Sequence, residues 1–257
     1  MTNVNYKLHT EVSGAGTPIV MVHGYLASSH YYSDIAKRLE KTHQVIRVDL
    51  LGHGKSPKPH NIPYDHNDQV QALHYTLEQL GVKQPFALVG HSMGALIALR
   101  YANIYPERVS RLVLFNPPMF SSPEEAERDI AATGPGYRLL MFSKAQRTVW
   151  RALKTLPRNP SKTRHPVSLT DVLRVNRHAR TGSLRNLVMQ GNVFKEVHEI
   201  TTPTLIVMGQ KDRVTYLKNA LNAQFPPHVT LKINQHGHNG MAYHPKLAES
   251  YIREHLG

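Results

Sequence analysis

The sequence contains no cysteine. That excludes disulfides, thiolate nucleophiles and thiolate metal centres, so covalent chemistry must come from another side chain. No window approaches 18 consecutive apolar residues, so no segment reads as a membrane span. The opening residues, M-T-N-V-N-Y-K, lack the apolar stretch of a secretory signal, and the expected location is cytoplasmic. Acids are scarce, with 18 Asp and Glu against 31 Lys and Arg, a formal charge of +13. Such an excess raises nucleic-acid binding, but its distribution argues otherwise. Residues 118–197 hold 14 of the 31 basic residues and only 6 of the 18 acids. There is no zinc-finger spacing, no arginine-rich tail and no aromatic–basic interleaving. We read a basic surface first, a field attracting anionic small molecules second, and expect no nucleic-acid partner. Histidine is abundant at 17, yet H-E-x-x-H is absent and no compact His/Asp cluster has ligand spacing. Neither a metal nor a cofactor is expected; His236 and His238 would bind a metal only adventitiously.

What is present is a rhythm of short apolar strands. Residues 17–24, 44–50, 86–91, 111–117, 202–209 and 229–233 read as strands, several β-branched and closed by glycine or a polar residue. Between them lie stretches of helical spacing. Val70, Leu73, Leu77 and Leu80 precede Gly81 as a stop; Leu96, Leu99 and Ala102 form a second stripe. Leu217, Leu221 and Phe225 form a third, and Leu247, Tyr251 and Leu256 mark a last helix. Strands alternating with helices predict an α/β fold with a mostly parallel central sheet covered on both faces. Residues 118–197 break the rhythm with helical patches, Tyr137–Met141 and Thr148–Leu156 among them, and no convincing strand. We expect a helical lid there, inserted into a core made of residues 1–117 and 198–257. Its Met119, Phe120, Leu139, Met141, Phe142 and Trp150 read as the lid's own core ahead of a substrate pocket.

Active sites in such sheets lie at the carboxyl ends of the strands. The 86–91 strand runs into Gly90-His91-Ser92-Met93-Gly94, a complete G-x-S-x-G between a strand and a helix. This marks Ser92 as the nucleophile, with Gly90 and Gly94 allowing close backbone approach. The Met93 N–H is a donor for a developing oxyanion. A serine hydroxyl needs a base and a group that orients it. Asp212 is the carboxylate that follows the 202–209 strand. Asn116, after the 111–117 strand, is no carboxylate. His236 and His238 both follow the last strand, and spacing alone leaves both open. The first strand ends His23-Gly24-Tyr25, where the Tyr25 N–H, with Leu26 as alternative, would be the second oxyanion donor and His23 a support of the loop. Residues 49–56, D-L-L-G-H-G-K-S, lack both G-x-G-x-x-G and a Walker ending and read as a structural loop.

Together, the H-G of 23–24, D-x-x-G-x-G-x-S of 49–56, G-H-S-M-G of 90–94, G-Q-K-D-R around Asp212 and the G-H of 237–238 resemble the α/β-hydrolase superfamily. They span nearly the whole chain outside the lid. The resemblance implies that His238, which follows glycine near the C-terminus, is the base, that Asp212 is the acid, and that the H-G loop supplies an oxyanion donor through Tyr25. It departs in one place. Relatives usually carry a carboxylate before a proline after the G-H, and here His244 precedes Pro245. Dehalogenases and epoxide hydrolases of the family use aspartate where Ser92 stands. The expectation is a serine carboxylesterase acting on a small-molecule ester, with anionic substrates in view of the basic lid. The alternatives are a C–C bond hydrolase or lyase on an anionic or vinylogous diketone substrate, a thioesterase, lactonase or perhydrolase, and a non-catalytic small-molecule binding protein on the same fold.

Overall fold

The structure is a computed structural model that describes residues 5–132, 167–190, 193–214 and 217–257. A seven-stranded sheet runs through it: β1 (Thr10–Ser13), β2 (Pro18–Val22), β3 (Gln44–Val48), β4 (Phe86–His91), β5 (Val109–Phe115), β6 (Thr204–Gly209) and β7 (Val229–Asn234). Their order across the sheet is β1-β3-β2-β4-β5-β6-β7. All pairs are parallel except β1 with β3. This is the α/β architecture that the strand rhythm predicts.

The inner strands are apolar on both faces because both faces are covered. In β2, Val20 and Val22 face one buried cluster with α2 (His66–Gln79) and α3 (Met93–Ile104). Ile19 and Met21 face the other, with α1 (Ser33–Leu39). A helix from Pro245 to Leu256 contributes Ala248 and Ile252 to that second cluster. A reciprocal capping box of Asp65 and Asp68 starts α2, and Gly81 at φ +70° follows its end. Helix α3 is buried nearly all round, since the sheet covers one side and other helices the rest.

β1 and α1 are among the elements that the sequence does not announce. β1 is four residues long, half-exposed and on an edge, so it carries no apolar run. Helix α1 has seven residues, too few for a periodic stripe. The strand expected at 111–117 starts at Val109 and ends at Phe115, which leaves Asn116 just beyond the strand end.

Between β5 and β6 the described residues form only helices. These are α4 (Pro123–Ala132), α5 (Leu169–Arg174), α6 (Arg177–Gly182), a π-helical turn (Ser183–Val188) and α7 (Val193–Glu199). The expected helices at 137–141 and 148–156 lie outside the described residues. The boundary expected at 197 falls within α7, whose Val193 and Val197 join the buried cluster around α3. After β6 come α8 (Leu217–Leu221), α9 (Gly240–Tyr243) and α10, the Pro245–Leu256 helix. Phe225 lies beyond the end of α8. No described helix is long and apolar enough to cross a membrane.

Candidate active site

Ser92 stands between β4 and α3 with φ 52° and ψ −120°, a conformation that costs a non-glycine residue about 1–3 kcal/mol. The surroundings hold it there. Its N–H donates to the Phe115 carbonyl at 2.9 Å. The turn is possible only because Gly94 lacks a side chain, since a Cβ there would lie 2.2 Å from the Val22 carbonyl oxygen. Gly90 packs as tightly against Gly94 and Ala95. Met93 is the first residue of α3, so its N–H has no intrahelical acceptor.

Asp212 follows β6 in a turn closed by its own N–H to the Gly209 carbonyl. Its side chain is fully buried and accepts from the Val214 N–H through Oδ1 at 2.8 Å. Asp212 Oδ2 lies 2.8 Å from His238 Nδ1. The structure therefore sets His238, and not His236, against the carboxylate. His236 instead stacks on His244, ring centroids 3.9 Å apart.

The loop after β2 carries a second piece of geometry. The Gly24 carbonyl accepts from His23 Nδ1–H at 2.7 Å and from the Ala27 N–H at 3.3 Å. His23 Nε2 accepts from the Leu50 N–H at 3.0 Å, which fixes the neutral ring with its proton on Nδ1. Burial holds the His23 pKa below the ordinary histidine value and outweighs the bond to Gly24. A trans peptide sets N–H opposite C=O. With the Gly24 carbonyl anchored by two donors, the Tyr25 N–H is turned the other way. Gly24 itself lies against the serine, and a Cβ on it would be 3.1 Å from Ser92 Cβ and 2.9 Å from His91 Nδ1. Leu26 adopts φ +60°, so this loop is strained as well. Its outer side is tied to the helices between β5 and β6. The Tyr25 hydroxyl donates to the Arg180 carbonyl at 2.9 Å and the Ser28 hydroxyl to Asp171 at 2.8 Å.

His91 stacks on Tyr31 at 4.4 Å between centroids and donates through Nε2 to the His238 carbonyl at 2.9 Å. Burial, then the nearby His238, pushes its pKa down to about 3, so the ring stays neutral. The 49–56 loop is structural in its contacts. Burial raises the Asp49 carboxyl, but the N–H groups of Lys55 and Ser29 outweigh this and leave its pKa lowered.

Ser92, His238, His91, Gly24 and Tyr25 line one cavity of about 250 Å³. Its remaining wall is mostly apolar, with Leu26, Phe120, Ile130, Val172, Leu184, Val188 and Val214. No Lys, Arg, Asp or Glu lines it among the described residues. Of the apolar residues named from the sequence, Phe120 lines the cavity and Met119 is buried in the core. Leu139, Met141, Phe142 and Trp150 lie outside the described residues. The sequence did not single out Ile130, Val172, Leu184 or Val188, because apolar positions on a helix look the same whether they face a core or a pocket. Among the described residues no group of three or more His, Asp or Glu is disposed to hold a metal.

Comparison with known proteins identifies the family. The family described as alpha/beta hydrolase fold matches residues 17–245. The chain belongs to that family. A cis-3-alkyl-4-alkyloxetan-2-one decarboxylase of Shewanella oneidensis is 41% identical over 120 residues, 46% of this chain and 38% of that protein. Lipase 3 of a Moraxella species is 29% identical over 205 residues, 77% of this chain and 64% of the lipase. The chain thus matches less than two thirds of the length of either relative. Among solved structures, an esterase from Exiguobacterium antarcticum superposes with a TM-score of 0.77 at 22% identity, covering 98% of this chain and 96% of that one. That likeness concerns the fold, which carries more than one chemistry across these relatives.

Proposed function

We propose that this member of the hydrolase family is a serine esterase that cleaves carboxylic esters of uncharged, apolar acids through an acyl-enzyme. The observation that carries the reading is the 2.8 Å contact of His238 Nδ1 with a fully buried Asp212, with His238 lining the same cavity as the strained Ser92. In the proposed reaction His238 takes the hydroxyl proton as Ser92 attacks the ester carbonyl. The N–H groups of Met93 and Tyr25 hold the oxyanion, and the alkoxide leaves with the proton from His238. Water, deprotonated by the same histidine, then attacks the acyl-enzyme and releases the acid. Asp212 keeps the imidazole in the required tautomer and stabilises its positive charge. His23 supports the arrangement by anchoring the Gly24–Tyr25 peptide.

The wall, uncharged among the described residues, favours apolar acyl groups over the anionic substrates that the overall charge suggests, since an unpaired anion loses hydration against apolar side chains. We also propose that residues 118–197 act as a cap, with Ile130, Val172, Leu184 and Val188 forming the acyl side of the cavity. The test is turnover of p-nitrophenyl esters from acetate to laurate by the wild type and Ser92→Ala. A chain-length optimum in the wild type and no turnover in Ser92→Ala is the expected result. Labelling of Ser92 by a fluorophosphonate without ester turnover would remove the ester assignment and leave the triad.

A further inference from the structure

We propose that Asn116 is a positioning residue for the acid–base pair, one amide that holds the Asp212 turn and the His238 loop in register. The inference rests on the proposed roles of Asp212 and His238. Asn116 follows β5, is 2% exposed, and sits at φ +47°, a left-handed conformation that asparagine tolerates better than most residues. Its own N–H donates to the Val207 carbonyl at 2.8 Å, which fixes the residue against β6. The two ends of its side chain then point to two different loops. Oδ1 accepts from the Gly209 N–H at 2.9 Å, and Nδ2 donates to the His238 carbonyl at 2.7 Å. Gly209 is the last residue of β6, and its carbonyl accepts the Asp212 N–H. One side chain therefore spans from the base of the turn bearing the acid to the backbone of the histidine.

The chemistry requires an amide. A donor must meet the His238 carbonyl and an acceptor must meet the Gly209 N–H, within a side chain this short. Aspartate keeps the acceptor and sets a second oxygen against the His238 carbonyl; alanine supplies neither. The same carbonyl accepts from His91 Nε2, so the residue preceding the nucleophile meets Asn116 at one oxygen. Other ties between the two loops remain without Asn116. The Lys211 N–H donates to the His236 carbonyl at 3.0 Å and the Gln210 N–H to the Asn234 carbonyl at 2.8 Å. Removal of the amide should thus loosen the His238–Asp212 register while the sheet stays intact. An error of about 1 Å in such a register costs on the order of 10²-fold in rate.

The test compares wild type, Asn116→Asp and Asn116→Ala; Asn116→Asp is nearly isosteric and keeps the Gly209 contact, should Asn116→Ala fold poorly. Three readouts apply: the rate of Ser92 labelling by a fluorophosphonate, kcat and KM per labelled site on a p-nitrophenyl ester, and the downfield proton NMR signal of His238 Nδ1–H. Both variants should label and turn over about 10- to 100-fold more slowly per site with KM little changed. The Nδ1 proton should exchange faster. A purely structural role would lower the melting temperature and the number of labelled sites, and leave per-site rates and proton signal as in wild type; that result overturns the proposal. Should the probe fail to label the wild type, the esterase reading falls, and the proton signal alone decides. Its loss in the variants then upholds the role of Asn116, and its persistence refutes it.

Discussion

The two walls of the cavity are built on different physics. The rim at the strand ends is polar and set by backbone: Ser92 at positive φ, the Gly24 carbonyl held by two donors, the Asp212 turn closed on Gly209. Each group there has one position, enforced by hydrogen bonds that cannot be traded individually. The opposing wall, from Ile130 through Val172 to Val188, is built of apolar residues among those described. Nothing in it depends on direction, so a change of volume changes shape and little else. On the proposed reading, the rim fixes the chemistry and the apolar wall fixes the substrate. The Tyr25 and Ser28 hydroxyls join the two across the loop that follows β2.

The comparison breaks most visibly at the rim. Ser92→Ala and Asp212→Asn are expected to lower kcat on a p-nitrophenyl ester by about 10⁴-fold or more, with melting temperature nearly unchanged. Loss of less than tenfold in either would remove that residue from the machinery. Next comes the oxyanion loop. His23→Phe removes the donor to Gly24 and leaves the Leu50 N–H without its acceptor. A released Gly24–Tyr25 peptide should cost about 10²-fold in kcat, close to the loss of one oxyanion donor. The unpaired N–H should cost about 1–3 kcal/mol in a denaturant titration. An unchanged kcat would separate His23 from the oxyanion site.

The other wall should respond differently. Leu184→Ala enlarges the cavity at a residue that is 3% exposed, at a stability cost of about 2–5 kcal/mol. The ester preference should move toward longer acyl chains, by about 10-fold or more in relative kcat/KM per methylene accommodated. Ser92 labelling by a fluorophosphonate should proceed at the wild-type rate. Slower labelling with no shift in chain preference would mean that the apolar wall positions the nucleophile, and would erase the division between the two.

The same division explains what could be read in the sequence. Ser92, Asp212 and the His236–His238 pair were visible because each is polar and follows directly on an apolar strand. The choice of His238 needed the family resemblance, since both histidines satisfy the spacing, and the structure sets His238 on Asp212. Asn116 occupies an equally visible position after β5. Its type gives no sign of a role, since a triad acid there would be a carboxylate, whereas its contacts use an amide's two different ends. The apolar wall was illegible in principle, because an apolar stripe does not say which surface it meets. The charge of +13 pointed toward anions, yet no charged side chain lines the cavity among the described residues.

Acid should attack the two walls unequally, and this is the smallest effect. The rim and its support contain buried histidines, among them His23, His53 and His91, whereas His178 and His198 in the helices between β5 and β6 are exposed. Burial lowers the pKa of His53 and His91 to about 3, and that of His66 on α2 to about 4; His23 is lowered as well. A group depressed in the folded state stabilises the fold fully above its unfolded pKa, near 6.5, and loses that contribution as pH falls toward the folded value. Each histidine should then subtract up to about 1.4 kcal/mol per pH unit below about 6.5. Glu196 works against them. Burial raises its pKa to about 7, so the folded state takes up its proton first and gains stability on acidification. Asp68 is raised as well, but the lowered histidines outnumber the raised carboxyls, and the net expectation is a lower urea midpoint at pH 5.5 than at pH 7.5. His53→Phe should flatten that dependence by about one proton. Equal midpoints at the two pH values would mean that the rim histidines do not stay neutral on burial, and the fixed tautomer of His23 would lose its basis.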